Sequence, residues 1–462
     1  MNYTNTLKGL ILEYEDMSQK GTVVFFEETV YLKLIDYYFK NNDFEKALVV
    51  VNHAIEQHGH SNVFYNRKAS ILLNLDKSQQ ALEIIEATES LYPDCLETTL
   101  LRIEYLCMHE QTNEAFELIE DVKENVCSTK NMSFLFGMEA LVYEYLGDYD
   151  KMFDALRNQL LLDNTNDKAF HKIWMCVEIS GKYEKSIRFH QQLINKNPYT
   201  AYAWFNLGHA NYCVESFTEA AECFEYAFLI DREFVNAYME CADTYIHIKQ
   251  YEKAINCLID LEDVFVFDSL AYTKLGICHF YLNNFDLSLD ALNKAILLDF
   301  TNDVAYYHLA LLKMKVGDAE DAISMFEQAI VINDNLEEYY IGYAKALESV
   351  GRNLDAKRNY VIATETAPEI KEIWIEYLQF LLRRKRFKTI LTVIDEAEMY
   401  ALCTELLYFR AICLFYQNQK SQALDMLNEA LLEDGAFAYL IKDAKKMYQD
   451  KDITALLSLY KS

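Results

Sequence analysis

Large apolar and small residues recur along this chain with a period of 34. Gly147 and Gly181 stand one period apart, as do Gly317 and Gly351. Trp204 and Trp374 are five periods apart, and so are Pro198 and Pro368. Such a period marks a stacked array of short repeats. With Ala201 as position 1, Trp204 falls at position 4, Leu207 at 7, Gly208 at 8, Ala220 at 20, Phe224 at 24 and Ala227 at 27. Small residues at 8, 20 and 27 let two antiparallel helices, A and B, approach closely. Large residues at 4, 7, 11 and 24 fill the space between them and the next pair.

The register holds elsewhere. Position 20 is alanine at Ala47, Ala81, Ala115, Ala220, Ala254, Ala322 and Ala356, and position 27 at Ala54, Ala227, Ala295, Ala329, Ala363 and Ala397. Position 17 is aromatic at Phe44, Tyr149, Tyr183, Phe217, Tyr251, Phe285 and Phe387. Pro93, Pro198 and Pro368 all sit at position 32, where helix B must end. Gly147, Gly181, Gly317 and Gly351 sit at position 15, in the A–B turn, where a left-handed residue is useful. These landmarks resemble the tetratricopeptide-repeat signature. The resemblance implies an all-α, right-handed superhelical solenoid of helix–turn–helix repeats with terminal capping helices.

About twelve repeats are expected, in an N-terminal block over 28–132 and a main block over 133–435. Residues 1–27 form a leader in which Leu7, Leu10, Ile11 and Tyr14 share one helical face, as a cap would. Residues 436–462 hold short helical patterns whose polar face carries Lys442, Lys445 and Lys446. The step from Ala115 to Met152 is 37 rather than 34, which puts three extra residues within Lys123–Asn131. Trp174 occupies position 8, where an indole prevents the usual close approach. Both departures suggest a bend after the N-terminal block.

Composition narrows the function. The 72 acids outnumber 43 bases, for a net charge of −29. Such a surface repels phosphate backbones and anionic lipid, so nucleic acid is not an expected partner. No run of 18 apolar residues suits a membrane span, and the N-terminus lacks the pattern of a secretory signal. The eleven cysteines are scattered without CxxC pairs, which reads as apolar thiols in a reducing, cytoplasmic setting.

In the resembled family helix A lines the concave wall, with positions 2, 5, 6 and 9 facing the groove. Across the central repeats that wall carries three lysines and two acids and is rich in aromatic, methionine and histidine side chains. The peptide-binding candidates are Lys172, Tyr202, Phe205, Asn206, His209, Met239, Lys274, Ile277, Tyr307, His308 and Leu311. The opposing expectation is that they pack against neighbouring repeats. A carboxylate clamp is not matched, because Phe205 and His209 stand where Lys and Asn are wanted. An asparagine ladder is represented in the central repeats by Asn206 alone.

Other chemistry is sparse. His53, His58 and His60 straddle a helix end with no Cys or acid at ligand spacing, and read as a solvated turn rather than a metal site. His190, at core position 24, reads as a satisfied interior histidine. No GxSxG, Walker, HExxH or GxGxxG motif occurs. Arg383, Arg384, Lys385, Arg386 and Lys388 form one dense basic turn, either balancing local acids or docking an acidic segment. The expected function is a noncatalytic scaffold or adaptor binding a protein segment, with an assembly factor or co-chaperone-like peptide binder as a narrower form. No catalytic residue, metal or cofactor is assigned. The rival classes are an enzyme using His171, His209, His308, Glu240 or Asp243, and a transcription regulator, for which no helix-turn-helix module is evident.

Overall fold

The computed structural model describes residues 7–20, 24–125 and 128–460. The parts of the leader at 1–6 and 21–23, and residues 126–127 of the expected insertion, lie outside the described residues. The chain packs as two compact units, Met1–Ala237 and Tyr238–Ser462. The 132/133 junction lies inside the first of them.

The described residues form twelve A–B hairpins, from Glu28–Lys40 with Phe44–Gln57 to Thr404–Tyr416 with Lys420–Glu433. The chain is therefore an all-α solenoid of helical repeats. All the alanines read at positions 20 and 27 are wholly buried, as close helix packing requires. The leader helix Leu7–Lys20 caps the first repeat by burying Leu10, Tyr14 and Met17. At the other end Lys451–Leu459 buries Ile453 and Leu457, while Lys442, Lys445 and Lys446 face solvent.

Position 15 takes a left-handed backbone in every hairpin. Four of these residues are glycine, with φ between 65° and 89°. The other eight are Asn42, Asp76, Glu110, Glu215, Lys249, Asn283, Lys385 and Asn418. The turn geometry thus overrides residue preference, at a cost of about 1 kcal/mol at each Glu or Lys. Trp204 Nε1 donates to the Pro198 carbonyl at 2.8 Å, and Trp374 Nε1 to Pro368 at 2.7 Å. The same tie between position 4 and the preceding turn is repeated five periods on.

Position 8 sets how closely A and B approach. Hairpins with Ala69, Ala140, Gly208, Gly276, Ala310, Ala344 or Ala411 there pack most tightly. Those with Ile35, Ile103 or Leu378 are looser, and the Trp174 hairpin is looser still. The three extra residues after Ala115 continue a helix. Helix A of the fourth repeat runs Thr129–Leu146, 18 residues where its counterparts have 13 or 14. One additional turn therefore precedes the position where the register begins.

Candidate functional site

That additional turn builds a wall. A cavity of about 690 Å³ lies across helices Asn62–Asn74, Leu96–Met108 and Thr129–Leu146. Its lining includes residues at positions 2, 5, 6 and 9 of three successive A helices: Val63, Asn66, Arg67 and Ser70, then Glu97, Leu100, Leu101 and Glu104, then Phe134 and Met138. Lys130 and Asn131, from the added turn, complete it. The apolar share comes from Val63, Leu96, Leu100, Leu101, Met138 and the exposed ring of Phe134.

The polar floor is organised. Asn66 is buried, and its Oδ1 accepts from Thr98 Oγ1 at 2.9 Å. The amides of Asn62 and Asn66 both donate to Cys95 Sγ at 3.5 Å. Burial alone would raise the Cys95 thiol, but hydrogen bonds from Thr98, Asn66 and the Glu97 amide hold it below its ordinary value.

The charges are unequally matched. Arg67 pairs with Asp36 at 3.3 Å. Lys130 lies over the Phe134 ring, 6.0 Å from its centroid. Burial raises the Glu104 carboxyl, offset in part by the field of Lys172. That lysine is itself bound to Glu144 at 2.5 Å. Among the described residues Glu104 has no hydrogen bond and no cation within 4 Å.

The central-repeat candidates are placed differently. In the first unit Tyr202 stacks on Phe170 at 5.8 Å and touches Phe234 at 4.7 Å. Phe205 packs against Phe224, Phe234 and His209. His209 lies against Trp174, with centroids 5.0 Å apart, and burial lowers its pKa to about 4. Asn206 is turned inward, donating to the Phe170 carbonyl at 2.9 Å with His190 Nε2 3.4 Å away. Its amide nitrogen is thus turned to the interior rather than to a groove. His190 is wholly buried, and its Nδ1 donates to the Ser186 carbonyl at 2.9 Å. Lys172 is occupied by Glu144, as above.

In the second unit Lys274 is ion-paired with Asp243. Tyr307 stacks on Tyr339 at 4.8 Å and packs edge-on against Phe326 at 5.9 Å. Burial lowers His308 to about 4 and leaves its Nδ1 without a partner among the described residues. Leu311 leans on the core of this unit, while Met239 and Ile277 are half-buried. Tyr202, Phe205, His209 and Tyr307 thus hold neighbouring repeats together as well as lining helix A.

Two other readings resolve. His53 bonds the Tyr14 hydroxyl at 2.7 Å, and His58 Nε2 donates to the Phe26 carbonyl at 2.8 Å. His58 is therefore covered by the leader rather than solvated. In the basic turn Arg383 makes a two-pronged bond to Glu348 at 2.9 and 2.8 Å, with Arg384 at 3.5 Å. Among the described residues Lys385, Arg386 and Lys388 stay exposed and unpaired.

Twelve in-register hairpins, with small residues at most of positions 8, 20 and 27, define a helical-repeat fold. The tetratricopeptide-repeat family model matches residues 304–335, one repeat of the array. The chain is 24% identical over 336 residues to TPR repeat-containing protein MJ1428 of Methanocaldococcus jannaschii, covering 66% of this chain and 55% of that one. It is 24% identical over 153 residues to anaphase-promoting complex subunit cut9 of Schizosaccharomyces pombe, covering 33% of this chain and 23% of cut9. The match thus spans about half of the first relative and a quarter of the second. Yeast Tom70 aligns with a TM-score of 0.44 and 15% identity, over 94% of this chain and 99% of that one. What these comparisons share with the chain is the tetratricopeptide repeat, matched directly at residues 304–335.

Proposed function

We propose that this chain is a noncatalytic cytoplasmic scaffold that takes a segment of a partner protein against its A helices, with the cavity of repeats two to four as the principal seat. The cavity itself carries the reading. Three successive A helices present apolar side chains around a polar floor, a composition suited to an extended or helical peptide. His209 and His308, which a groove enzyme would need as bases, are held neutral by burial and locked in packing. The net charge of −29 turns away nucleic acid. Thiols kept unpaired, such as buried Cys107 and Cys176, suit a reducing compartment. Among the described residues no helix is long and apolar enough to cross a membrane.

A photo-crosslinking residue placed at Phe134, with a control at the exposed helix-B residue Leu229, tests this in the full chain. Partner adducts should form at Phe134 and be lost when Leu100 and Met138 are changed to Ala. Partner capture from Leu229, with none from Phe134, would show that partners dock elsewhere.

A further inference from the structure

The cavity wall carries a carboxylate, Glu104, that no hydrogen bond or ion pair meets among the described residues. Glu104 stands at position 9 of its helix, half-buried among Leu100, Leu101 and Met138 on the cavity wall. The basic groups around the cavity have other partners, Lys130 lying over the Phe134 ring. Lys172 is bound to Glu144, and Arg67 to Asp36. Counting Asp36, the cavity sets three acids, Asp36, Glu97 and Glu104, against two cations, Arg67 and Lys130. An ionised carboxylate in apolar surroundings is costly unless a cation meets it. It also discriminates strongly, because an acidic or neutral occupant would leave it unpaired.

We propose that the partner segment carries a lysine or arginine flanked by apolar side chains, with its cation on Glu104 and its apolar neighbours on Phe134, Met138 and Leu100. This rests on the cavity being the seat of the partner. The long aliphatic stem of either basic residue covers the apolar wall while its head reaches the carboxylate. The strongly acidic surface of the chain concentrates such a segment near the opening before it docks. Arginine fits best, since its planar fork can engage both carboxylate oxygens at once.

Random peptides displayed on phage and selected on the full-length chain test the proposal. Binders are then measured as synthetic peptides against wild type, Glu104→Gln, Glu104→Lys and Phe134→Ala, each checked for unchanged helicity and melting. The expected result is enrichment of Lys or Arg beside apolar residues. Affinity should fall on the order of tenfold in Glu104→Gln and further in Glu104→Lys. Replacing the basic residue of a selected peptide with Glu should abolish binding to wild type and restore it to Glu104→Lys. Binders that lose affinity in Phe134→Ala but are indifferent to Glu104→Gln would overturn the cation anchor and leave the cavity as the seat. Binders indifferent to both changes, or no enrichment at all, would overturn the cavity itself.

Discussion

Changing Gly208 to Ala sets two known effects against each other. Alanine is the better helix former by about 1 kcal/mol. A Cβ at this position, however, would lie 2.7, 2.8 and 3.0 Å from three carbons of the Phe224 ring. No relaxed structure holds carbons that close, so the ring must move or the helices must part. Phe224 is wholly buried, with Phe205 at 5.5 Å and His209 at 5.1 Å on its flanks. The ring has nowhere to swing, so overpacking of about 1–3 kcal/mol outweighs the helical gain. The net expectation is a loss on the order of 1–2 kcal/mol. Urea unfolding followed by far-UV circular dichroism measures it, read on the first transition because repeat arrays need not unfold in one step. Adding Phe224→Leu should recover part of the loss, as the two sites share one space. Gly181→Ala is the contrast. Nothing lies within 4 Å of its Cβ, so its cost comes from φ of +65° alone and no partner mutation can relieve it. A Gly208→Ala protein as stable as wild type, or more so, would show that position 8 does not control the helix approach.

Glu215→Gly should stabilise by about 0.5–1 kcal/mol, because Glu215 sits at φ 63° in a turn that only glycine adopts freely; an unchanged urea midpoint would deny the strain. Burial lowers His190 to about 4 against an ordinary value near 6.5, so its neutral form is favoured in the fold. That contribution is complete above the unfolded value and drains away as the pH falls from there towards 4, with on the order of 2 kcal/mol gone by pH 5. His190→Gln should flatten the acid limb of the stability profile relative to wild type, whereas parallel profiles would mean that His190 is protonated in the fold. Phe205→Ala should cost on the order of 2 kcal/mol through lost packing on Phe224 and Phe234; a protein that melts unchanged would return Phe205 to the list of free groove residues.

The array was legible in the chain because packing demands recur. Ala220 and Ala227 announce tight contacts by their size, and Pro198 announces the end of a helix by its ring. Position 15 was only half legible. Glycine there signals a left-handed turn, but Lys249 and Glu215 carry no such mark and are forced into it by the two helices they join. The central groove candidates failed to separate wall from core for a similar reason. Position 6 sits on the border of the buried stripe, and a neighbour decides which way it turns. His190 in place of an aromatic leaves a polar gap that Asn206 fills, and that choice depends on a contact 16 residues away. The cavity was hidden because the three added residues read as a bend between repeats. Their sequence, running into Met132 and Phe134, instead continues the helical face.

The departures from the repeat are matched in pairs, which explains how the array tolerates them. Position 27 of the fourth repeat holds buried Gln159 where alanine is usual. Its partner at position 5 is Gly137, whose Cβ would lie 2.7 Å from the glutamine nitrogen. A large residue has been traded against a missing side chain. In the fifth repeat Trp174 stands at position 8 and His190, not phenylalanine, at position 24, and the indole stacks on His209 of the next repeat. What such an array preserves is volume at each helix contact rather than residue identity. Because each repeat contacts only its neighbours, such trades stay local and the rest of the register is untouched. A repeat can then lengthen helix A by a turn and lift Lys130, Asn131 and Phe134 beyond the packed layer. The cavity stands where that added turn extends the groove faces of three successive A helices.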